Sequence, residues 1–555
     1  MRALKDLFLK YPAAAAAGVA LFAAFAAFYA ATVTNIYSFD PKYAIYMDVL
    51  NLYWIPSLSD PALFPRDPVA AQCRSMWGPF ITEGPWIWLS SLFMRVKPYA
   101  LGMALLSSLG CAAAALLVFR LALKSAARPA AAAAALLFAV YFLSTNTFFG
   151  VPRLYGFLAF LAFLLAAEEK RFLLLPFLIP AGFILYPAVS AGLGVSALLA
   201  PVFYRRHFRE HKLLPRYAAA MAAAGLLCLA ALWRSVTLGG VFRALGAGSG
   251  FEIDKLYQFV SAPVRPDSLW DLVTYFLLNF NEHGNFYPVM SALLLLVFLA
   301  GWCVKLGRPA LLPASLKLSL AGSLGAFALL YLTHPVSASR QMVFIVPLVV
   351  VFLAAEGVYR LGGEKPRTLL VGVAAALVFG VLHPRLGLRE SCRTFAPVYG
   401  YLSALPPDAI VAGHPDSDLL HTIPVFAKKQ VFISDEHRDQ YLFTLNRSAD
   451  FTAMRAALVS ALYSASPAAA CALKAAYGVD YVALEDKFFT PEYLARAAAS
   501  SFPLDAETAR AAAKTADPLG FYNYARARPA FSWKNERSGG AVFALSSCVK
   551  KEARK

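Results

Sequence analysis

Charged residues are scarce in this sequence. Asp, Glu, Lys and Arg together make up 15% of its 555 residues, where soluble domains carry about 25%. A wholly soluble chain is therefore excluded as a reading. Acidic residues are the scarcer sign, 33 against 51 basic. Cysteine is sparse and unpatterned: Cys73, Cys111, Cys228, Cys303, Cys392, Cys471 and Cys548 form no CxxC pair. Cys111, Cys228 and Cys303 lie inside apolar runs and read as small core hydrophobes. A disulfide among the other four stays open, because sequence alone cannot pair them. The P-loop, GxSxG and HExxH patterns are absent, which leaves ATP hydrolysis and serine or zinc hydrolase chemistry without support. No RNP, zinc-finger or helix-turn-helix pattern accompanies the net charge of +18. That charge would suggest nucleic acid in a soluble protein, but here Lys and Arg sit in short loops between apolar runs. Nucleic acid is not an expected partner.

What is abundant is apolar: 59% of the residues, with a mean hydropathy of +0.57. A spanning helix needs about 20 mostly apolar residues. Runs near 12–33, 99–119, 129–147, 154–168, 172–186, 188–203, 217–235, 286–304, 310–332, 341–358 and 368–383 predict a polytopic α-helical membrane protein of about eleven spans. The runs at 154–168, 172–186 and 188–203 are short. Tyr186-Pro187 predicts a sharp turn, since Pro ends a helix at the preceding residue. The basic stretch Met1 to Lys10 precedes an apolar run too long for a signal peptide, so it reads as a retained anchor.

Lys and Arg of the short loops decide orientation. Arg2 and Lys5, Arg120 and Lys124, Lys170 and Arg171, Arg205 to Arg216, Lys305 and Arg308, and Arg360 to Arg367 alternate with successive runs. They therefore share one face, the cytoplasmic one. The N-terminus lies inside. The outer face receives the long segments 34–97 and 235–285 and the tail after His383. The basic run Arg205-Arg-His-Phe-Arg-Glu-His-Lys reads as a positive-inside anchor, with anionic lipid binding as the sharper alternative.

The tail changes character. Asp408-Ala-Ile-Val-Ala, Gln430-Val-Phe-Ile-Ser and Asp480-Tyr-Val-Ala-Leu are β-prone. Ala-rich helical stretches, Phe451 to Ser464 and Pro467 to Tyr477, lie between them, with Ser466 placed to cap and Gly478 to stop. Residues 1–390 thus read as a transmembrane domain and 391–555 as a small soluble α/β domain.

Chemistry has few candidates. The first outer segment holds Asp40, Asp48, Asp60, Asp67 and Glu83. An outer-face carboxylate can serve as a general base or ligate a divalent cation. Asp40, Asp60 and Asp67 each precede Pro, which also suits an N-cap with Pro at the first helical position. Asp48 lies in a helical stretch where no cap is needed. Arg153 and Arg340 fall at outer ends of apolar runs. A guanidinium there can clamp a lipid phosphate bidentately or simply snorkel to headgroups. His334, before Pro335, reads as an interfacial histidine. His414-Pro-Asp-Ser-Asp has metal-capable side chains, although such loops usually cap helices.

The arrangement resembles the GT-C superfamily of membrane glycosyltransferases, its poorly characterised bacterial members most of all. The stretches that carry the resemblance are Phe39-Asp40-Pro-Lys-Tyr43, Asp60-Pro-Ala-Leu-Phe-Pro-Arg-Asp67, Gly150-Val-Pro-Arg153 and Ser339-Arg340-Gln341. In the tail they are Leu405-Pro-Pro-Asp-Ala-Ile-Val and Tyr477-Gly-Val-Asp-Tyr-Val-Ala. The resemblance implies sugar transfer from a polyprenyl-phosphate donor to a glycan, lipid or protein acceptor on the outer face. It implies Asp40 as base with Asp48 assisting, and Arg153 and Arg340 on the donor phosphate. Tyr43, Asp67 and His334 take supporting positions. It fixes no cofactor and leaves a divalent cation open. The chain departs from the paired acidic residues of many members, since Asp40 is followed by Pro41. That departure keeps a catalytically silent relative open, beside a transporter or lipid-handling protein. Few acidic residues within the runs and no repeated halves weigh against transport.

The orientation has a direct test. A reporter fused after Arg216 should read cytoplasmic and one fused after Leu405 should read the outer compartment; both on one side would overturn the topology.

Overall fold

The structure is a computed structural model of the whole chain. It describes residues 53–58, 60–76, 84–96, 99–126, 128–143, 152–238, 312–333, 342–362, 392–434, 448–499, 503–514, 517–535 and 538–546. The apolar runs at 12–33, 286–304 and 368–383 lie outside these residues. The chain divides into two compact units. The first comprises Met1–Ile36, Gly78–Ser235 and Ile253–Leu388, and the second Tyr37–Trp77, Val236–Glu252 and Arg389–Lys555. The first described helix, α1 (Pro68–Met76), therefore folds with the C-terminal residues.

The first unit is helical throughout its described part. Its helices are α2 (Gly84–Phe93), α3 (Tyr99–Ala122), α4 (Arg128–Leu143), α5 (Pro152–Glu168), α6 (Leu175–Leu185) and α7 (Ser190–Phe203). Then come the short α8 (Arg205–Glu210), α9 (Leu214–Leu238), α10 (Ala314–Thr333) and α11 (Met342–Gly362). Leu105–Ala122 in α3 and Leu214–Trp233 in α9 are long and apolar enough to cross a membrane. Ala130–Ala139, Phe172–Leu185, Ser190–Phe203, Ala314–Leu329 and Phe344–Gly357 are shorter apolar stretches. α9 turns Leu226, Leu229 and Trp233 outward, at 68%, 61% and 71% exposure. Large apolar patches in water are rare, so such a face calls for an apolar surrounding.

The break at Tyr186-Pro187 is real. Tyr186 is extended (φ −161, ψ 103) where α6 ends. A 3-10 turn, Pro187–Val189, then starts α7. Small residues let the helices approach closely. A β-carbon on Gly322 of α10 would overlap Ser196 of α7, and one on Gly110 of α3 would overlap Leu154 of α5. Stacked rings of Phe138 and Phe157, 5.4 Å apart, join α4 to α5, and Phe344 brings in α11 at 5.5 Å from Phe157.

The second unit is α/β. After α12 (Ala396–Ser403) come β1 (Ile410–Gly413), α13 (Asp418–Phe426), β2 (Gln430–Val431), α14 (Ser448–Leu462) and α15 (Ala468–Tyr477). β3 (Tyr481–Glu485), α16 (Pro491–Ala499), α17 (Pro503–Ala513), α18 (Gly520–Ala527), β4 (Phe531–Lys534) and β5 (Gly539–Ala544) follow. The sheet runs β2-β1-β3-β5-β4. β1 is parallel to β2 and β3, whereas β5 is antiparallel to both β3 and β4. All of β1 is buried, which explains its continuous apolar run in place of an alternating one. Val398 and Leu402 of α12, Leu419 and Ile423 of α13, and Val542 of β5 close one core with it.

The three β-prone runs of the tail are thus the three parallel strands. The β4–β5 hairpin is an addition that the sequence reading did not foresee. Helix α15 begins one residue later than expected. Pro467 takes the cap position, and Ser466 Oγ accepts from Ala468 N at 3.4 Å. Its end is where Gly was expected: Gly478 is left-handed, φ +69, and its N–H returns to Lys474 O at 2.9 Å.

A β-carbon at Gly478 would be strained by that φ and would strike the Arg66 guanidinium. Gly478→Ala should cost about 1–2 kcal/mol. Hydrogen exchange of the β1 and β3 amides should then quicken about 5–30-fold; unchanged exchange would refute the strain.

Candidate functional site

The acidic segment before α1 can be followed from Tyr53. Asp67 is buried, at 5% exposure. Its Oδ1 accepts from the N–H groups of Val69 and Ala70 at 2.8 and 3.1 Å. The Tyr53 hydroxyl donates to Oδ2 at 2.6 Å. Asp67 is therefore the N-cap of α1, with Pro68 at the first helical position. Burial pushes its carboxyl above the usual range, opposed by Tyr53 and the two backbone donors. A carboxylate so enclosed anchors the segment and is not exposed to a substrate. Asp60, by contrast, caps no helix. Its side chain accepts from Ala62 N at 3.2 Å in an exposed turn.

Arg66, one residue earlier, reaches across the same unit. Its guanidinium donates to Gly478 O at 3.2 Å and Asp408 O at 3.5 Å, and lies 3.6 Å from the Asp480 carboxylate. The acceptor at Gly478 lies just past the C-terminal end of α15, where the helix dipole favours a cation. Nothing in the spacing of Arg66, Asp408 and Asp480 announces this contact. The one sequence clue is that Arg66 is the only cation in the segment between Asp60 and Asp67.

A second polar cluster lies at the carboxyl ends of β1 and β3, the place where open α/β sheets bind ligands. Ser417 caps α13 by accepting from Leu420 N at 3.0 Å and donates its hydroxyl proton to Glu485. Lys487 Nζ is 3.4 Å from Glu485 and 3.7 Å from Asp418. Burial raises the Glu485 carboxyl, and Lys487 and Ser417 work against that rise. His414 is satisfied on both ring nitrogens. Nδ1 accepts from Asp416 N at 3.3 Å, which assigns the proton to Nε2, 3.2 Å from the Tyr493 hydroxyl. Its ring also stacks on Phe488 at 4.0 Å. The His414-to-Asp418 loop is thus a capping loop. Among the described residues no group of three His, Cys, Asp or Glu is arranged to hold a metal ion. Ser417, Glu485, Lys487 and Asp418 thus partner one another at the carboxyl ends of these inner strands.

Of the residues singled out from the sequence, Asp40, Asp48, Tyr43, Arg340 and His334 lie outside the described residues. Arg153 is half-buried in the first turn of α5, directly after Pro152. Asp67 is the cap just described. Cys471 is disulfide-bonded, whereas Cys73, Cys111 and Cys228 are free thiols. Cys73 therefore drops out of the four cysteines left open for pairing.

No protein-family model matches the chain, and no curated protein matches it. Solved structures of the oligosaccharyltransferase of Archaeoglobus fulgidus do. The complex with Zn and sulfate has a TM-score of 0.43 at 13% identity, covering 87% of this chain and 70% of that one. The apo form has a TM-score of 0.45 at 13% identity, covering 88% and 72%. The same archaeal enzyme, AglB, in complex with an inhibitory peptide and a dolichol-phosphate, has a TM-score of 0.43 at 13% identity, covering 90% and 72%. At this identity and these TM-scores, the functional reading is left to the residues of the chain itself.

The buried Glu485 makes a pH prediction. Its folded pKa is raised, so the folded state holds its proton more tightly than the unfolded one. Its contribution to stability is therefore lost as pH rises from the ordinary value of 4.5 through the raised one. Glu485→Gln keeps an acceptor for Ser417 and removes the titration. The second unit should lose less stability between acid and neutral pH than wild type, read by thermal unfolding across that range. A steeper decline in the variant would refute the burial argument.

Proposed function

We propose that the chain is a membrane glycosyltransferase of the GT-C type. It would transfer a sugar from a polyprenyl-phosphate donor to an acceptor hydroxyl on the outer face of the cytoplasmic membrane. The observation that carries this reading is that the described end of the acidic segment, from Tyr53 to Met76, belongs to one unit with the C-terminal α/β residues. Asp67 pins that segment locally and Arg66 pins it to α15 and β3. A carboxylate base needs such a fixed mount, because positioning supplies much of its effect.

In the reaction, Asp40 takes the proton of the acceptor hydroxyl, with Asp48 assisting. The acceptor oxygen bonds to the anomeric carbon as the bond from that carbon to the phosphate oxygen breaks. Polyprenyl phosphate leaves with the electron pair. Arg153 and Arg340 meet the charge that grows on the phosphate. The place of Arg153 in the first turn of α5 supports this role, since helix N-termini also favour anions. The disulfide at Cys471 supports an outer location for the second unit, because disulfides persist in oxidising compartments. A divalent cation suits hard carboxylate ligands, but no described residues form a donor set for one and no step here requires it.

The test is Asp40→Asn. A cap tolerates Asn, whereas a base does not. Transfer from a polyprenyl-phosphate sugar in membranes should fall by about 10²–10⁴-fold with insertion unchanged. Full activity in the variant would move the base to Asp48. A wild type inactive with every lipid-linked donor would favour the silent relative or the transporter.

A further inference from the structure

Three basic loops of the first unit come together in the structure. Glu169, after α5, is 2.6 Å from Arg120 in the last turn of α3, 3.5 Å from Lys124 of the α3–α4 loop, and 3.1 Å from Arg171 of its own loop. Burial tends to raise the Glu169 carboxyl, but Arg120, Arg171 and Lys124 together outweigh it and hold it low. Phe172, next along, is buried against the third loop, with its ring 4.7 Å from Tyr204, 5.3 Å from His207 and 4.8 Å from Phe208. Tyr217 closes this aromatic brace at 5.1 Å from Phe208. His207 feels the charge of Lys170 from the neighbouring loop and of His211 from its own, and both add to burial in lowering its pKa. The loops therefore form one electrostatic surface.

On that surface Lys170, Arg171, Arg205, Arg206, Arg209 and Lys212 are all exposed. Glu210 is the exposed carboxylate on α8, paired with Arg206 at 2.7 Å. Beside the cations stand exposed apolar side chains: Leu173 and Leu174 at 38% and 48%, Val202 and Phe203 at 70% and 46%, and Leu214 at 57%. Cations alone would fit any polyanion. Cations rimmed by exposed Leu, Val and Phe fit the boundary between headgroups and acyl chains.

We propose that this braced surface binds the phosphate headgroups of anionic phospholipids in the leaflet where the three loops lie. The apolar rim enters the acyl region while the cations hold the headgroups. The inference rests on the membrane location proposed above and is independent of sugar transfer.

The experiment uses the full chain purified in a neutral detergent. Added phosphatidylglycerol should raise the Tm of wild type by about 2 °C. Phosphatidylcholine and inorganic phosphate should not. The triple variant Arg205→Gln/Arg206→Gln/Arg209→Gln should lose most of that rise, whereas Lys428→Gln/Lys514→Gln, a charge loss in the other unit, should keep it. Native mass spectrometry of wild type gives a reading that needs no variant: phosphatidylglycerol should be retained over phosphatidylcholine. Equal shifts with both lipids, an equal shift in the triple variant, or a shift with inorganic phosphate would each overturn the lipid site. A chain released from membranes by alkaline carbonate would overturn the membrane reading itself.

Discussion

Asp480 stands at the head of β3 and ties four parts of the second unit together. Its N–H donates to Ile410 O at 2.9 Å, and its carboxylate accepts from Ile410 N at 3.2 Å, which joins β1. Its carbonyl accepts from Leu545 N at 2.9 Å, which joins the end of β5. The carboxylate also faces Lys474 of α15 at 3.4 Å and Arg66 at 3.6 Å. Buried strands must satisfy every backbone group. At this point a single residue satisfies β1, receives the first residue after β5 and still offers charge to two cations. The acidic segment held by Arg66 depends on that charge and on the α15 carbonyl beside it.

The first unit obeys a different constraint. Its helices carry little charge, so packing rests on shape. Glycine and serine let α7 and α10 meet, and ring stacking joins α4, α5 and α11. Charge is pushed to the loops, where Glu169 gathers three cations and Phe172 carries the aromatic brace. The same scarcity that removes polar glue from the helices concentrates the cations at their ends. A surface of that kind follows from the partition of charge more than from any single motif.

Much was legible before the structure. The β-prone runs at 408, 430 and 480 became the three parallel strands because a fully buried strand leaves a continuous apolar signature. Gly478 and Tyr186-Pro187 marked real chain breaks because backbone sterics act locally. Asp67-Pro68 read as a cap and is one. Ser466 missed its cap by one residue, a shift well within the fraying of helix ends. The β4–β5 hairpin escaped because Phe531 to Lys534 is an edge strand that pairs only with β5, and its mixed exposure leaves no continuous apolar run.

The candidate site divides in the same way. The sequence by itself determined which residue types were available: one acidic segment after the first apolar run, arginines at the ends of such runs, Lys and Arg gathered in the short loops between runs, and no hydrolase or nucleotide motif. These are matters of composition and short-range spacing, and local sterics and hydropathy suffice to read them. Only the tertiary structure decided that Asp67 is enclosed by Tyr53, that Glu485 is spent on Ser417 and Lys487, and that Arg66 finds its partners more than 300 residues away. Such contacts depend on how the chain closes its long loops, and no local pattern encodes a partner at that separation.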